Sequence, residues 1–305
     1  MIQQILTGVP LVTLQAGSAT EIMKPAALLI LSWLITSCAQ PFPKPMQKCC
    51  LDQWDDANEI FQKSFTRHGG LSLDELTSLS YDLNGEWKYL ITKIQPLVTD
   101  SEYRVRSQEI VYPQVGAYHA NYDGPKGSKW VLQKQGLTEV FYDGAASRDL
   151  DVLQSTALTA ESFYIFALGP LALNNLSGSF ERLPNISENG KNYLRIYAEM
   201  RPGIGESDLD EIVLWIDPDT WLTWRVRFTL EGYVSTQGAN VDVTFTDYVE
   251  LGDFVFPSSF FERVRAPIQI DAHSWDTTNH RLNAAPSPSD LIRPPYEITP
   301  QRQGL

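Results

Sequence analysis

Leu214-Trp215-Ile216-Asp217-Pro218-Asp219-Thr220-Trp221-Leu222-Thr223-Trp224-Arg225-Val226-Arg227-Phe228-Thr229-Leu230 carries the clearest structural signal in the chain. Glu211 to Ile216 reads as a buried strand. Asp217-Pro218-Asp219-Thr220 reads as a turn, because proline presets a turn dihedral and aspartate bonds its own backbone. Leu222, Trp224, Val226, Phe228 and Leu230 then alternate with Thr223, Arg225, Arg227 and Thr229. A period of two sends one set to the core face of a sheet and the other towards solvent, so this is a half-buried strand.

The same period recurs on both sides. Downstream, Glu231-Gly232 makes a turn, Val241, Val243 and Phe245 alternate with Asp242, Thr244 and Thr246, and Phe254 to Arg265 adds one or two strands around Pro257. Upstream, strands are expected over Tyr103 to Tyr112, Gly116 to Tyr122, Lys129 to Lys134, Leu137 to Tyr142 and Tyr193 to Met200. Another alternating run extends from Leu79 to Ile91, with a turn expected at Asn84-Gly85. Connections such as Asp123-Gly124-Pro125-Lys126-Gly127 and Asp143-Gly144 are too short for parallel crossovers, so antiparallel neighbours follow. The total is about ten strands, which suits one large curved sheet.

Two segments have helical character. Leu51 to Phe65 places Trp54, Ala57, Ile60, Phe61 and Phe65 near a period of 3.6, and His68-Gly69-Gly70 can supply a left-handed cap. Thr159 can cap Ala160 to Leu168, after which Gly169-Pro170 stops or kinks the helix before Leu171-Ala172-Leu173. This second helix is apolar on nearly every face and so must be buried, against the concave face of the sheet. The expected fold is therefore mainly β with a few helices (α+β), an incomplete antiparallel β-barrel wrapped around an apolar helix. Phe163, Phe166 and Leu171 are expected to face a surface made by Trp215, Trp224, Phe228 and Phe245. The helix then either fills that surface as core or covers a space that an acyl chain can enter, and Gly169-Pro170 as a hinge favours the second.

The chain has 305 residues, and its 24 basic and 37 acidic side chains leave a formal charge of −13. That balance disfavours nucleic acid as a partner, because counterion displacement needs clustered Lys and Arg, and it disfavours adhesion to anionic lipid through a basic patch. Aromatic residues make up 11% of the chain, enough apolar surface to exclude a disordered protein.

Met23-Lys24-Pro25 opens an N-terminal segment whose apolar run, Ala26 to Ile35, is ten residues long. A span needs about 20, so this reads as a secretory signal, with translation expected to start at Met23. Leu34-Ile35-Thr36-Ser37-Cys38 resembles a bacterial lipobox, in which the cysteine is acylated and the preceding peptide removed. Residues 1–38 are thus read as signal peptide with lipobox, 39–50 as a Pro-rich tether, 51–283 as one half-barrel domain and 284–305 as a Pro-rich tail. Cys49 and Cys50 are adjacent, a spacing that strains a mutual disulfide. The alternative for Cys38 is a buried cysteine at the end of a core helix.

Catalytic motifs are mostly missing: there is no G-x-S-x-G, S-x-x-K, H-E-x-x-H or Walker A pattern. His273 and His280 could act as acid and base or bind metal, although hydrogen-bonding edge histidines explain them as well. Asp208, Asp210 and Glu211 could attract a cation or form a solvated loop face. Asp247 is the best candidate for a buried acid, on the inward parity of its strand, although fraying of the strand towards Tyr248 explains it better. No cofactor, metal or catalytic residue is assigned, and the chain is expected not to be an enzyme.

Taken together, the lipobox, "LWIDPDTWLTWRVRF", "VDVTFTDYVELGDFVFPSSF" and "WDTTNHRLN" resemble the outer-membrane lipoprotein-sorting carriers, the LolA/LolB-like superfamily. The matching pieces are Asp217-Pro218-Asp219-Thr220 before a strand and Thr246-Asp247-Tyr248 leading to Phe256-Pro257. The resemblance implies a half-barrel whose apolar concavity binds lipid or acyl chains, in lipoprotein or lipid trafficking. It also implies a periplasm-facing protein of the cell envelope, held to the membrane by its lipid anchor. Ala39 after the anchor points to the outer membrane, since the retaining aspartate is missing. No transfer residue of the superfamily matches a numbered position here, so none is carried over. An envelope scaffold that contacts another protein and has a filled core is the competing expectation.

Overall fold

A computed structural model describes residues 39–45, 56–134, 136–176 and 178–291, all within one unit of the chain, Cys38–Leu305. The signal segment, Cys38, Cys49, Cys50 and the end of the tail lie outside the described residues. Thirteen antiparallel strands form one sheet: β1 (Leu79–Trp87), β2 (Arg106–Tyr112), β3 (Ala117–Gly124), β4 (Gly127–Lys134), β5 (Leu137–Tyr142), β6 (Ala145–Ala146), β7 (Glu181–Glu188), β8 (Lys191–Met200), β9 (Asp210–Ile216), β10 (Thr223–Thr229), β11 (Asn240–Leu251), β12 (Phe254–Ala266) and β13 (Ile270–Leu282). Their spatial order is β6-β5-β4-β3-β2-β1-β13-β12-β11-β10-β9-β8-β7. Two meanders therefore meet where β1 pairs β13, and the sheet stays open between its edges, β6 and β7.

The helices are α1 (Ala57–Arg67), α2 (Tyr89–Ile94), α3 (Pro96–Thr99) and α4 (Leu150–Leu168). α4 is the crossover from one sheet edge to the other. It packs against β3, β4 and β5 and also against β12, six strands beyond β5. Flat, those strands would lie about 29 Å apart at ~4.8 Å per strand, whereas a helix is only ~10–12 Å across. The sheet must curl around α4, which is the half-barrel expected.

Several expectations change. α4 starts at Leu150, capped by Asp149, whose carboxylate accepts from the Asp151 N–H at 3.0 Å. Thr159 is thus mid-helix, with its hydroxyl bonded back to the Ser155 carbonyl at 2.7 Å. Leu150–Leu173 is long and apolar enough to cross a membrane by length and composition, but most of it is buried within the protein. Asn84-Gly85 is no turn: β1 runs straight through it, and a side chain at Gly85 would lie 2.2 Å from the Ser274 carbonyl. The glycine permits close approach of β13. After Trp87 the chain turns helical, and Tyr89, Leu90 and Ile94 are left exposed. Asp247, the candidate buried acid, is exposed, since register shifts on both sides of it break the parity of β11.

Three strands escaped the alternation rule. β6 has only two residues, β7 contains Pro184, which an edge strand tolerates, and β13 is polar along much of its length.

Both faces of the sheet bury apolar side chains. The inner face holds the main core around α1 and α4. On the outer face, Leu183, Tyr193, Tyr197, Val213 and Trp215 form a second cluster joined by Phe42, and Trp130, Leu132 and Phe141 form a third joined by Leu291. The described part of the 39–50 tether is therefore packed on the sheet, with the Gln40 N–H bonded to the Arg265 carbonyl at 2.9 Å.

Candidate functional site

Pro96 at the first turn of α3 and left-handed Asp100 (φ 42°) after it confine α2 and α3 to two short turns crossing the inner face. Ile91 and Thr99 point inward, while Tyr89, Leu90, Ile94 and Leu97 remain exposed, Tyr89 by 77%. Beneath them lies a cavity of about 220 Å³, walled by Ile91 and Val98, by Leu158, Phe163 and Phe166 of α4, and on the sheet by residues such as Val241 and Ile270. Exposed Ile94 and Ile268 also border it. A 150 Å³ apolar cavity holds benzene, so by proportion this one takes about nine carbons of an alkyl chain.

One wall is polar. Trp87, His273 and Glu262 face each other across β1, β13 and β12. His273 is 1% exposed, and its Nε2 lies 3.2 Å from Glu262 Oε2. Its ring is enclosed by Trp87, Phe163, Phe166, Phe260 and Trp275, with Trp87 edge-on at 4.8 Å. Arg104 sits behind this wall, its guanidinium within 4.9 Å of the rings of Trp87, Tyr122 and Phe163, donating to the Val98 carbonyl at 3.1 Å. Among the described residues no hydroxyl or thiol is hydrogen-bonded to His273.

Other buried ionisable groups fasten structure. Glu109 accepts from the hydroxyls of Tyr81 (2.8 Å) and Ser107 (2.7 Å), and burial raises its carboxyl above the ordinary range. Glu161 on α4 accepts from Gln133 of β4 at 2.8 Å and from the Gly205 N–H at 2.6 Å, tying both sides of the open sheet to the helix; burial raises its carboxyl too. Asp210 accepts from the Ile204 and Glu231 N–H groups and the Thr229 hydroxyl, so this member of the acidic cluster staples loops. His280 pairs with the Thr277 hydroxyl at 2.8 Å.

Of the residues expected to line a ligand space, Phe163 and Phe166 border the cavity. Leu171, Phe228 and Phe245 are fully buried in the core around it and do not border it. Trp215 and Trp224 lie on the opposite face, in the outer cluster. Trp215 falls there because β9 alternates Ile212, Leu214 and Ile216 inward against Val213 and Trp215 outward. Trp224 falls there because a bulge between Thr223 and Arg225 flips the strand, leaving its indole stacked on Tyr193 at 4.1 Å. The contributions of α2, α3 and β13 were missed: the start of α2 looked like strand, α3 was assigned no element, and β13 showed only its histidines.

No family model and no curated protein match the chain. Among solved structures it is similar to a LolA superfamily protein from Nitrosomonas europaea, with 13% identity and a TM-score of 0.47 over 76% of this chain and 96% of that one. It is also similar to an outer membrane lipoprotein-sorting protein domain from Vibrio parahaemolyticus, with 12% identity, a TM-score of 0.37 and coverage of 77% and 97%. A third is the Mycobacterium tuberculosis lipoprotein LppX, at 9% identity, TM-score 0.26 and coverage of 75% and 97%. The functional reading rests on the cavity itself.

Proposed function

We propose that this protein binds the acyl chain of a lipid between its half-barrel sheet and the α2–α4 helices, as a carrier rather than an enzyme, tethered to the cell envelope through Cys38. The observation that carries the reading is the pairing of an apolar cavity with an apolar surround. A purely structural core would close over Leu158, Phe163 and Val241, yet a space of about 220 Å³ remains. Leu90, Ile94, Leu97 and Ile268, which water should repel, stay exposed near it.

The magnitudes agree with reversible binding. Nine buried carbons contribute about 7 kcal/mol before association costs of about 4 kcal/mol or more. The cavity alone therefore holds a chain weakly, and a longer chain continuing over the exposed side chains of α2 and α3 supplies the remainder.

The filled end of the concavity, around Phe228 and Phe245, is what favours the competing scaffold reading. Native mass spectrometry of the purified protein separates the two. Adducts at lipid masses that disappear on delipidation support the carrier, and protein that returns only its bare mass after gentle purification supports the scaffold.

A further inference from the structure

On the outer face of the sheet, four arginines converge on one groove: Arg195 of β8, Arg225 and Arg227 of β10 and Arg265 of β12. The groove encloses about 360 Å³ and is also bordered by Gln40, Pro41 and Phe42. Its carboxylates are fewer. Glu188 takes Arg225 in a two-pronged pair at 2.8 Å. Asp242, 3% exposed, pairs with Arg227 and stands 3.4 Å from Arg265 and 3.7 Å from Arg225. Four cations thus share two anions. Arg195 has the Pro184 carbonyl as partner at 2.8 Å and lies 5.7 Å from the centre of the Trp215 ring. Arg265 Nε is buried and makes no hydrogen bond, its contact being the 3.4 Å ion pair with the shared Asp242. Burial and the neighbouring guanidiniums lower the pKa values of both Arg195 and Arg265. An unbalanced cluster of this kind, in a chain of net charge −13, calls for an added anion.

The path of the chain says where the anion comes from. The Gln40 side chain accepts from Arg227 at 3.2 Å, and Cys38 precedes Gln40 by two residues, a reach of about 7 Å at most. That is within the ~8 Å Debye length at physiological salt. An acyl anchor on Cys38 would hold the bilayer surface against this groove.

We propose that the Arg195–Arg225–Arg227–Arg265 groove binds the phosphate of an anionic phospholipid headgroup, so that the anchored domain docks on the membrane with its outer face down. Planar guanidiniums pair with phosphate oxygens two at a time, and the pair available to do so is Arg195, whose partner is a carbonyl, and Arg265, which only shares Asp242 with Arg225 and Arg227. The net acidity of the chain argues against a basic adhesive patch, but charge acts locally, and this groove is the exception. The inference rests on the Cys38 anchor proposed above.

The test uses the full chain carrying Cys38→Ala, so that no acyl group contributes, mixed with phosphatidylglycerol-containing or pure phosphatidylcholine vesicles. The leader is common to every variant. Arg195→Gln with Arg265→Gln should reduce affinity for the anionic vesicles about thirtyfold, at the usual value of each surface arginine, and leave phosphatidylcholine binding unchanged. Arg195→Lys with Arg265→Lys should keep most of the preference, and unfolding midpoints should match the parent. Equal binding of the anionic vesicles by the parent and the glutamine variant overturns the proposal. So does protection of the parent by inorganic phosphate without any vesicle preference, which would assign the groove to a soluble anion. Fatty-acid labelling of the unmodified protein reports separately on the anchor, so failure there is distinguishable from failure of the groove.

Discussion

His68 shows how one side chain fixes a local irregularity. It is fully buried at the end of α1. Its Nε2 accepts from the Thr223 N–H at 3.1 Å, so the ring proton sits on Nδ1 and is donated to the Val255 carbonyl at 2.8 Å. Thr223 adjoins the bulge that turns Trp224 outward. Burial lowers the pKa of His68 from 6.5 to about 4. The unfolded chain therefore takes up this proton first as pH falls, and the stability held above pH 6.5 is lost between 6.5 and about 4. The loss is about 3 kcal/mol for this group. His68→Gln, which can still accept from Thr223, should flatten the acid limb of stability against pH relative to wild type, followed by urea unfolding at several pH values. An unchanged slope would show that His68 does not titrate on unfolding. At Cys38 the expectation is simpler. Cys38→Ala should abolish incorporation of a clickable fatty acid, because no other residue of the lipobox can form the thioether, and equal label on both proteins would remove Cys38 as the anchor.

At the scale of elements, α4 divides the concavity into an open end and a filled one. Phe166 is 1% exposed and sits at the boundary, with Phe228 and Phe260 at 5.9 and 5.4 Å on one side and the cavity on the other. Phe166→Ala should cost about 3 to 5 kcal/mol and also change affinity for an acyl probe severalfold. Phe245→Ala, in the filled part, should cost a similar amount and leave affinity unchanged; equal effects of both on binding would mean that the cavity is not the ligand site. The same division sets what the sequence could show. Strand-like runs between turns located β2 to β5, β8, β9 and β12, and alternation located β1, β10 and β11. It misplaced Trp215 and Trp224 because the outer face is apolar too, covered by Phe42 and Tyr193, and because a one-residue bulge leaves no mark on composition. It made α2 a strand because exposed Tyr89, Leu90 and Ile94 look like core residues on paper. Those were the residues that mattered for the site. Gly169-Pro170, read as a hinge, is instead a buried junction: Gly169 takes φ 56° and the chain continues as a short 3-10 turn through Leu173.

Across the whole described unit, the topology accounts for both the pocket and its presentation. A meander on each side of the β1–β13 seam builds a sheet that curls around the one helix joining its edges. Glu161 ties β4 and the loop between β8 and β9 to α4, and Glu161→Ala, which leaves the Gln133 and Gly205 donors without their carboxylate, should lower stability by about 1 to 3 kcal/mol; a thermal melt unchanged from wild type would make that fastening dispensable. The inner face offers the apolar cavity, while the outer face carries the packed N-terminal segment and the arginine groove. The central claim is that the cavity holds an acyl chain. Titration of delipidated full-length protein with a fluorescent fatty acid tests it most directly. Saturable one-to-one binding at a micromolar dissociation constant, displaced by unlabelled fatty acid and weakened by Phe166→Ala, is the expected result. No binding of any acyl probe at micromolar concentration, in protein that is folded and free of lipid, would contradict it.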